Sequence, residues 1–345
     1  MARENNTAAV GRDSGSFVTD AGKVLFAVSV GVRVPPRARA QVHSVFQRAC
    51  NFETDSGELV TLLAPACGNL PHGICCAPPI GSLFPRLRQG QMAILDGATL
   101  RIPAARLAVR LSRAAIWNGT VAAALPGLSR AEPHGGLREL CETLREHAPD
   151  QGVTPALFSS GCPRSTIERA LIARMAQSLP VLARATGTGD ADAVVSALSV
   201  LVGLGAGLTP AGDDFIVGYL AALWSRSHRE PVVAALLGSL AVPVGKLSLH
   251  TNAISRQMLL DALQGQFAER LADVVRSVCG GGNVAGAAMR ALEVGHSSGA
   301  DVLCGLLFGY SPAPTALPIR GRTTARHIAD RHAARGGDRL LIGRT

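Results

Sequence analysis

Between Leu204 and Phe215 the chain reads Leu-Gly-Ala-Gly-Leu-Thr-Pro-Ala-Gly-Asp-Asp-Phe, and an apolar run from Phe215 to Trp224 follows at once. A helix that is apolar on every side has to be wrapped by other elements, so this run requires a helical body around it. Two adjacent carboxylates at its mouth are then drawn out of water. That costs free energy unless partners are supplied, which marks the segment as a site rather than a surface loop.

A length of 345 residues allows two domains, and fractions of 47% apolar and 17% charged residues fit a globular chain. Residues 1–16 are polar, lack an apolar signal region and read as a disordered N-terminus. Residues 17–125 read as β-rich. Lys23–Val30 has strand composition, and Asn51–Thr54, Asp55-Ser56-Gly57 and Glu58–Leu63 form a hairpin pattern. Gly73–Cys76 and Gln91–Leu95 are further short strands, and Asp96-Gly97 is a turn leading to Thr99–Ile102. Short strands joined by such turns suggest a small barrel or sandwich.

Residues 126–136 are rich in Pro and Gly and read as a linker. The pattern then becomes helical: Leu137–Glu146, Ser165–Leu179, Ala191–Gly203, Pro210–Arg226, Pro231–Leu240, Ala253–Gln264, Phe267–Cys279, Val284–Glu293 and Gly299–Phe308. The expected fold class is α+β: an N-terminal β-rich barrel or sandwich-like domain, then an all-α helical domain over 137–312 that carries the glycine/Asp-Asp string. Residues 313–345 read as a basic, flexible tail.

The net charge of +9 is uneven: from Arg320 onward seven Arg and two Asp give +5. The folded body therefore has no implied basic face, and an aromatic content of 4% is too low for base-stacking platforms. Nucleic acid is not an expected partner. The tail reads as a solvated end, with contact to an acidic partner as the other reading. Lysine occurs only as Lys23 and Lys246. The eight cysteines contain no C-x-x-C pair, so they read as small apolar residues of a reducing compartment. The longest apolar runs fall short of the ~18 residues of a membrane span. A cytoplasmic protein without a membrane partner is the expectation.

Three constellations can carry chemistry. In the first, Thr209-Pro210 fits an N-cap followed by Pro at the first helical position. Gly203, Gly205 and Gly207 precede it, and such a loop lets backbone N–H groups reach an anion at a helix N-terminus. It follows a helix rather than a strand, so it is no dinucleotide fingerprint. Asp213 and Asp214 lie one turn inside. They would repel a phosphate unless a cation or an Arg mediates, so they are the candidate ligands for a Mg²⁺ cofactor, or they bind a polar substrate group. The bland reading is a glycine hinge and a dipole-stabilised helix start. The second constellation, Gly295-His296-Ser297-Ser298-Gly299-Ala300-Asp301, mirrors the first: small residues, a hydroxyl, then an acid entering an apolar helix. Ser297 or Ser298 can cap that helix, Asp301 can complete the cap, and His296 can act as acid/base. The third is Thr251-Asn252-Ala253-Ile254-Ser255, where Thr251 or Asn252 caps a helix and Thr251, Asn252 and Ser255 share one face. In the first domain His43 and Asn51 belong to a polar patch that reads as a solvated loop or a site. Nucleophile-elbow, zinc-protease and Walker sequences do not occur.

Taken together, these residues resemble the AllH-type family, which includes a subunit of bacterial oxamate carbamoyltransferase. The resemblance rests on the strings 203–214, 251–255 and 295–301 and on His43-Ser44-Val45-Phe46 with Asn51, spanning roughly residues 20–310. It implies a cytoplasmic role in anaerobic allantoin (purine) breakdown, where oxamate and carbamoyl phosphate interconvert with oxalurate and phosphate in a complex with partner subunits. On that reading Asp213, Asp214, His296 and Asp301 are the catalytic candidates. Gly205, Gly207, Thr209, Thr251, Asn252, Ser255, Ser297, Ser298, His43 and Asn51 bind the small anionic substrate. The alternative is a non-catalytic assembly or metabolite-binding subunit of a multi-protein complex.

Overall fold

A computed structural model describes residues 16–19, 22–77, 84–121, 134–158 and 165–310. Residues 1–15, most of the expected linker, Cys162 and the basic tail lie outside the described residues. The strands are β1 (Ser16–Thr19), β2 (Gly22–Gly31), β3 (Arg37–Val45), β4 (Ala49–Thr54), β5 (Leu59–Leu63), β6 (Gly73–Cys76), β7 (Met92–Asp96), β8 (Thr99–Ile102), β9 (Leu107–Arg110) and β10 (Ala115–Trp117). Burial alternates along β7 and β8, as a one-sided sheet requires.

The strand order β2-β6-β5-β4-β3-β7-β8-β9 closes on itself, because β9 pairs in parallel with β2. The N-terminal unit is thus an eight-stranded barrel, and closure removes the open edges that a sandwich would keep. β1 runs antiparallel to the start of β2, and β10 parallel to its end. The Asp96-Gly97 turn joins β7 to β8: Gly97 takes a φ of 89° and Asp96 Oδ1 accepts from Thr99 N–H at 3.0 Å. Phe52, Leu62, Ile74, Ile102 and Val109 fill the barrel and are fully buried.

The second unit consists, among the described residues, of α1 (His134–His147), α2 (Thr154–Phe158), α3 (Thr166–Thr188), α4 (Ala191–Ser199), α5 (Ala211–Ser227), α6 (Pro231–Leu247), α7 (Ala253–Leu263), α8 (Glu269–Gly280), α9 (Val284–Leu292) and α10 (Ser298–Tyr310). Helix α1 already begins at His134, inside the segment expected as linker. Helices α3 and α6 run on through Pro180 and Pro243, past the ends expected from the sequence. Each proline deletes one backbone bond, yet Leu182 and Ala185 in α3 and Val244 in α6 stay buried beyond it, so packing sustains the helix.

That extension corrects one expectation. Pro231–His250 spans 20 residues at a mean hydropathy of 1.8, long and apolar enough to cross a membrane by length and composition. The inner face of α6 buries Val233, Leu236, Leu237, Leu240 and Val244 against the bundle. Its outer face leaves Val232 and Val242 exposed, and Leu249, just beyond its end, is exposed as well.

Helix α5 is the axis of the bundle, and α10 lies along it in parallel. A methyl group on Gly218 would overlap the carbonyl oxygen of Val302, and one on Gly305 would overlap that of Phe215. The two backbones therefore touch, with Phe215, Tyr219 and Phe308 packed around the contact. Barrel and bundle are joined by polar contacts. Asn69 N–H donates to Glu269 Oε2 at 2.7 Å, Leu59 N–H to Gln257 Oε1 at 3.0 Å, and Gly119 N–H to Gln266 Oε1 at 3.1 Å.

Candidate functional site

Because α5 and α10 are parallel and in contact, their N-termini emerge side by side, and both positive dipole ends point the same way. The first two constellations thus meet. Thr209 Oγ1 and Ser298 Oγ lie 2.7 Å apart, joining the string before α5 to the start of α10. Thr209 is not the N-cap it was expected to be. Pro210 takes that position, with its carbonyl accepting from Asp213 N–H, while the Thr209 hydroxyl donates to Asp214 Oδ2 at 2.9 Å. Gly205 and Gly207 take φ values of 127° and 108°, backbone conformations that side chains disfavour. Among the described residues, none accepts a hydrogen bond from the N–H groups of Gly205, Ala206, Gly207 or Leu208.

Asp213 and Asp214 are both about 1% exposed but face different ways, as successive residues on a helix do. Asp213 is a brace. Its Oδ1 accepts from Gly203 N–H at 2.8 Å and its Oδ2 accepts from the Thr251 hydroxyl, so it ties the glycine loop to the start of α7. Burial pushes its pKa up, and these two donors and Ser255 oppose the rise. Asp214 faces a cavity, and its Oδ1 is buried without a hydrogen-bond partner. Burial above all, then the neighbouring charge of Asp301, holds its pKa well above the usual carboxylate range against the Thr209 bond. Asp301 is fully buried and sits behind the cavity. Its Oδ1 accepts from Val153 N–H at 2.7 Å, which fixes the loop ahead of α2, and its Oδ2 has no partner. Burial pushes its pKa to about 7 despite that bond and the Ser297 hydroxyl.

The pair therefore does not present two carboxylates on one side, the arrangement a Mg²⁺ ion would need. Among the described residues no group of three or more His, Cys, Asp or Glu side chains is placed to hold a metal.

The cavity, about 870 Å³, lies between the barrel and the bundle. Of the residues expected from sequence, Gly205, Gly207, Thr209, Asp214, His296, Ser297, Ser298 and Asn51 line it. Asp213, Asp301, Thr251, Asn252, Ser255 and His43 do not. His296 is exposed. Asn252 is the N-cap of α7, accepting from Ile254 and Ser255 N–H and donating to the Leu208 carbonyl at 2.9 Å. Asn51 belongs to a cross-strand network on the barrel, accepting from Thr61 Oγ1 at 2.8 Å and donating to Ser44 Oγ at 3.1 Å. His43 is 3.1 Å from Ser44 Oγ at the far end of that network.

Sequence reasoning missed the cavity residues His72, Gln257 and Asp261. His72 Nδ1 is 2.8 Å from Asp261 Oδ1, and both residues are buried. They stand 189 positions apart, so no spacing rule could have paired them. Arg270 also lines the cavity, but its guanidinium is committed to Glu293 at 2.9 Å and to the carbonyls of Ala66 and Arg290.

A family model described as oxamate carbamoyltransferase subunit AllH matches residues 201–310, and the model of the AllH family N-terminal domain matches residues 27–116. No solved structure matches the chain. The two family matches together cover more than half of the sequence and take in both the barrel and the α5–α10 pair, so the chain belongs to the AllH family.

Proposed function

We propose that this AllH-family chain supplies the substrate-holding cavity of an oxamate carbamoyltransferase, acting with partner subunits. The reaction joins oxamate and carbamoyl phosphate to give oxalurate and phosphate. In this reading it serves anaerobic allantoin and purine breakdown in the cytoplasm. The observation that carries the reading is the convergence of two helix N-termini on one cavity, each with a hydroxyl and a buried acid.

That geometry suits an anionic substrate. With Arg270 committed elsewhere, the cavity offers uncommitted loop N–H groups, two aligned helix dipoles and the Thr209 and Ser298 hydroxyls. Two ionised acids would oppose an anion, but burial favours the protonated form of Asp214. A protonated carboxyl donates a hydrogen bond instead of repelling. Carbamoyl transfer needs charge stabilisation and positioning more than a covalent nucleophile.

A second reading, an assembly or metabolite-binding subunit, draws on the exposed Val232 and Val242 of α6 and Leu249 just after it, an apolar surface suited to a partner protein. Asp214→Ala decides between them. In the complex reconstituted with its partner subunits, oxamate carbamoylation should fall by about 10²–10³-fold while the complex still forms. Unchanged turnover would leave only the assembly role.

A further inference from the structure

The bundle's polar face on the barrel holds a second set of buried groups that the two converging helix ends do not use. His72 follows Pro71 on the barrel side and is 3% exposed. Its Nδ1 lies 2.8 Å from Asp261 Oδ1 and 3.1 Å from Oδ2. Gln257, one turn before Asp261 on α7, turns its amide nitrogen toward both, 3.2 Å from His72 Nδ1 and 3.3 Å from Asp261 Oδ1. The amide orientation is set by Leu59, whose N–H donates to Gln257 Oε1. A carboxylate against Nδ1 places the imidazole hydrogen there, and the Gln257 N–H then goes to Asp261. The other ring nitrogen, Nε2, keeps its lone pair and is buried without a hydrogen-bond partner.

A buried, unpartnered acceptor is expensive for a fold to keep unless a ligand meets it. His72, Asp261 and Gln257 all line the cavity that Asp214 faces. We propose that His72, oriented by Asp261 and Gln257, accepts the proton released in carbamoyl transfer. The inference rests on the carbamoyl-transfer reading given above. In that step the oxamate nitrogen attacks the carbamoyl carbon. The new N–C bond forms as the C–O bond to phosphate breaks, and the electron pair leaves with the phosphate. The attacking nitrogen must shed one hydrogen as a proton. His72 Nε2 takes it, Asp261 stabilises the resulting imidazolium, and the proton passes on to the departing phosphate or to water. In the reverse direction the same imidazolium returns the proton to the nitrogen.

The other titratable groups on the cavity are Asp214 from α5, Glu168 from α3, Arg270 from α8 and His296 before α10, while Asn51 and Thr61 of the barrel are neutral. The test uses the full chain assembled with its partner subunits, as wild type, His72→Gln and Asp261→Asn. His72→Gln should lower kcat by about 10²–10⁴-fold, with oxamate affinity by calorimetry changed by less than about threefold. The acid limb of the wild-type kcat/KM profile should vanish in that variant. An active wild type with an equally active His72→Gln, or a loss confined to KM, would overturn the inference alone, the second result making His72 an anchor. If His72→Gln does not fold, Asp261→Asn decides: a lowered kcat supports the dyad and an unchanged kcat overturns it. A wild-type complex that carbamoylates no oxamate overturns the functional reading and this inference with it.

Discussion

Replacing Asp301 with Asn should change how stability depends on pH. Asp301 is fully buried, with one oxygen on Val153 N–H and the other unpartnered. Its pKa is pushed from the ordinary 3.8 to about 7. Between those values the folded chain holds a proton that the unfolded chain has released, so stability falls as pH rises through that window. The whole displacement corresponds to about 4 kcal/mol by the usual conversion of pKa into free energy. Asparagine still accepts from Val153 N–H but cannot ionise. Its amide also inherits the unpartnered position, a cost of about 1–3 kcal/mol at every pH, so the diagnostic quantity is a slope and not an offset. Urea denaturation at about pH 5 and about pH 8 should show the variant gaining about 2–3 kcal/mol on the wild type across that interval. Asp214 shifts the same way, because losing the Asp301 charge eases its own ionisation. A difference that is independent of pH, or that favours the wild type as pH rises, would refute the reasoning.

Two further substitutions test the scaffold. Gly305→Ala favours an isolated helix by about 1 kcal/mol, yet its methyl group meets the Phe215 carbonyl, so the net effect should be a destabilisation of about 1–3 kcal/mol in thermal melts; a raised melting temperature would contradict the backbone contact. Thr251→Val removes the hydroxyl that donates to Asp213 and should cost about 1.5–3 kcal/mol, with faster hydrogen exchange at Gly203, and an unchanged protein would mean that Asp213 does not brace the loop.

Much of the architecture was legible from local chemistry. The Asp96-Gly97 turn, the hairpin around Gly57 and the Asn252 cap each follow from what one residue's backbone or side chain can do nearby. The mirrored strings before Phe215 and Val302 could be matched on sequence alone, and they meet through Thr209 and Ser298. The helix ends expected at Leu179 and Leu240 fall short of those observed, because the local penalty of Pro180 or Pro243 is smaller than the burial gained beyond it.

Local chemistry thus settled that a strand-built unit is followed by a helical one, and which acids had to leave water. It could not settle direction or distance. Whether Asp213 and Asp214 act together depends on what each side of α5 faces, and the parallel contact with α10 sends one to a loop and the other to a cavity. Closing the barrel needs β9 to find β2, and building the dyad needs His72 to find Asp261. Contacts between such distant positions arise only when whole elements pack, since no short stretch of chain holds both partners.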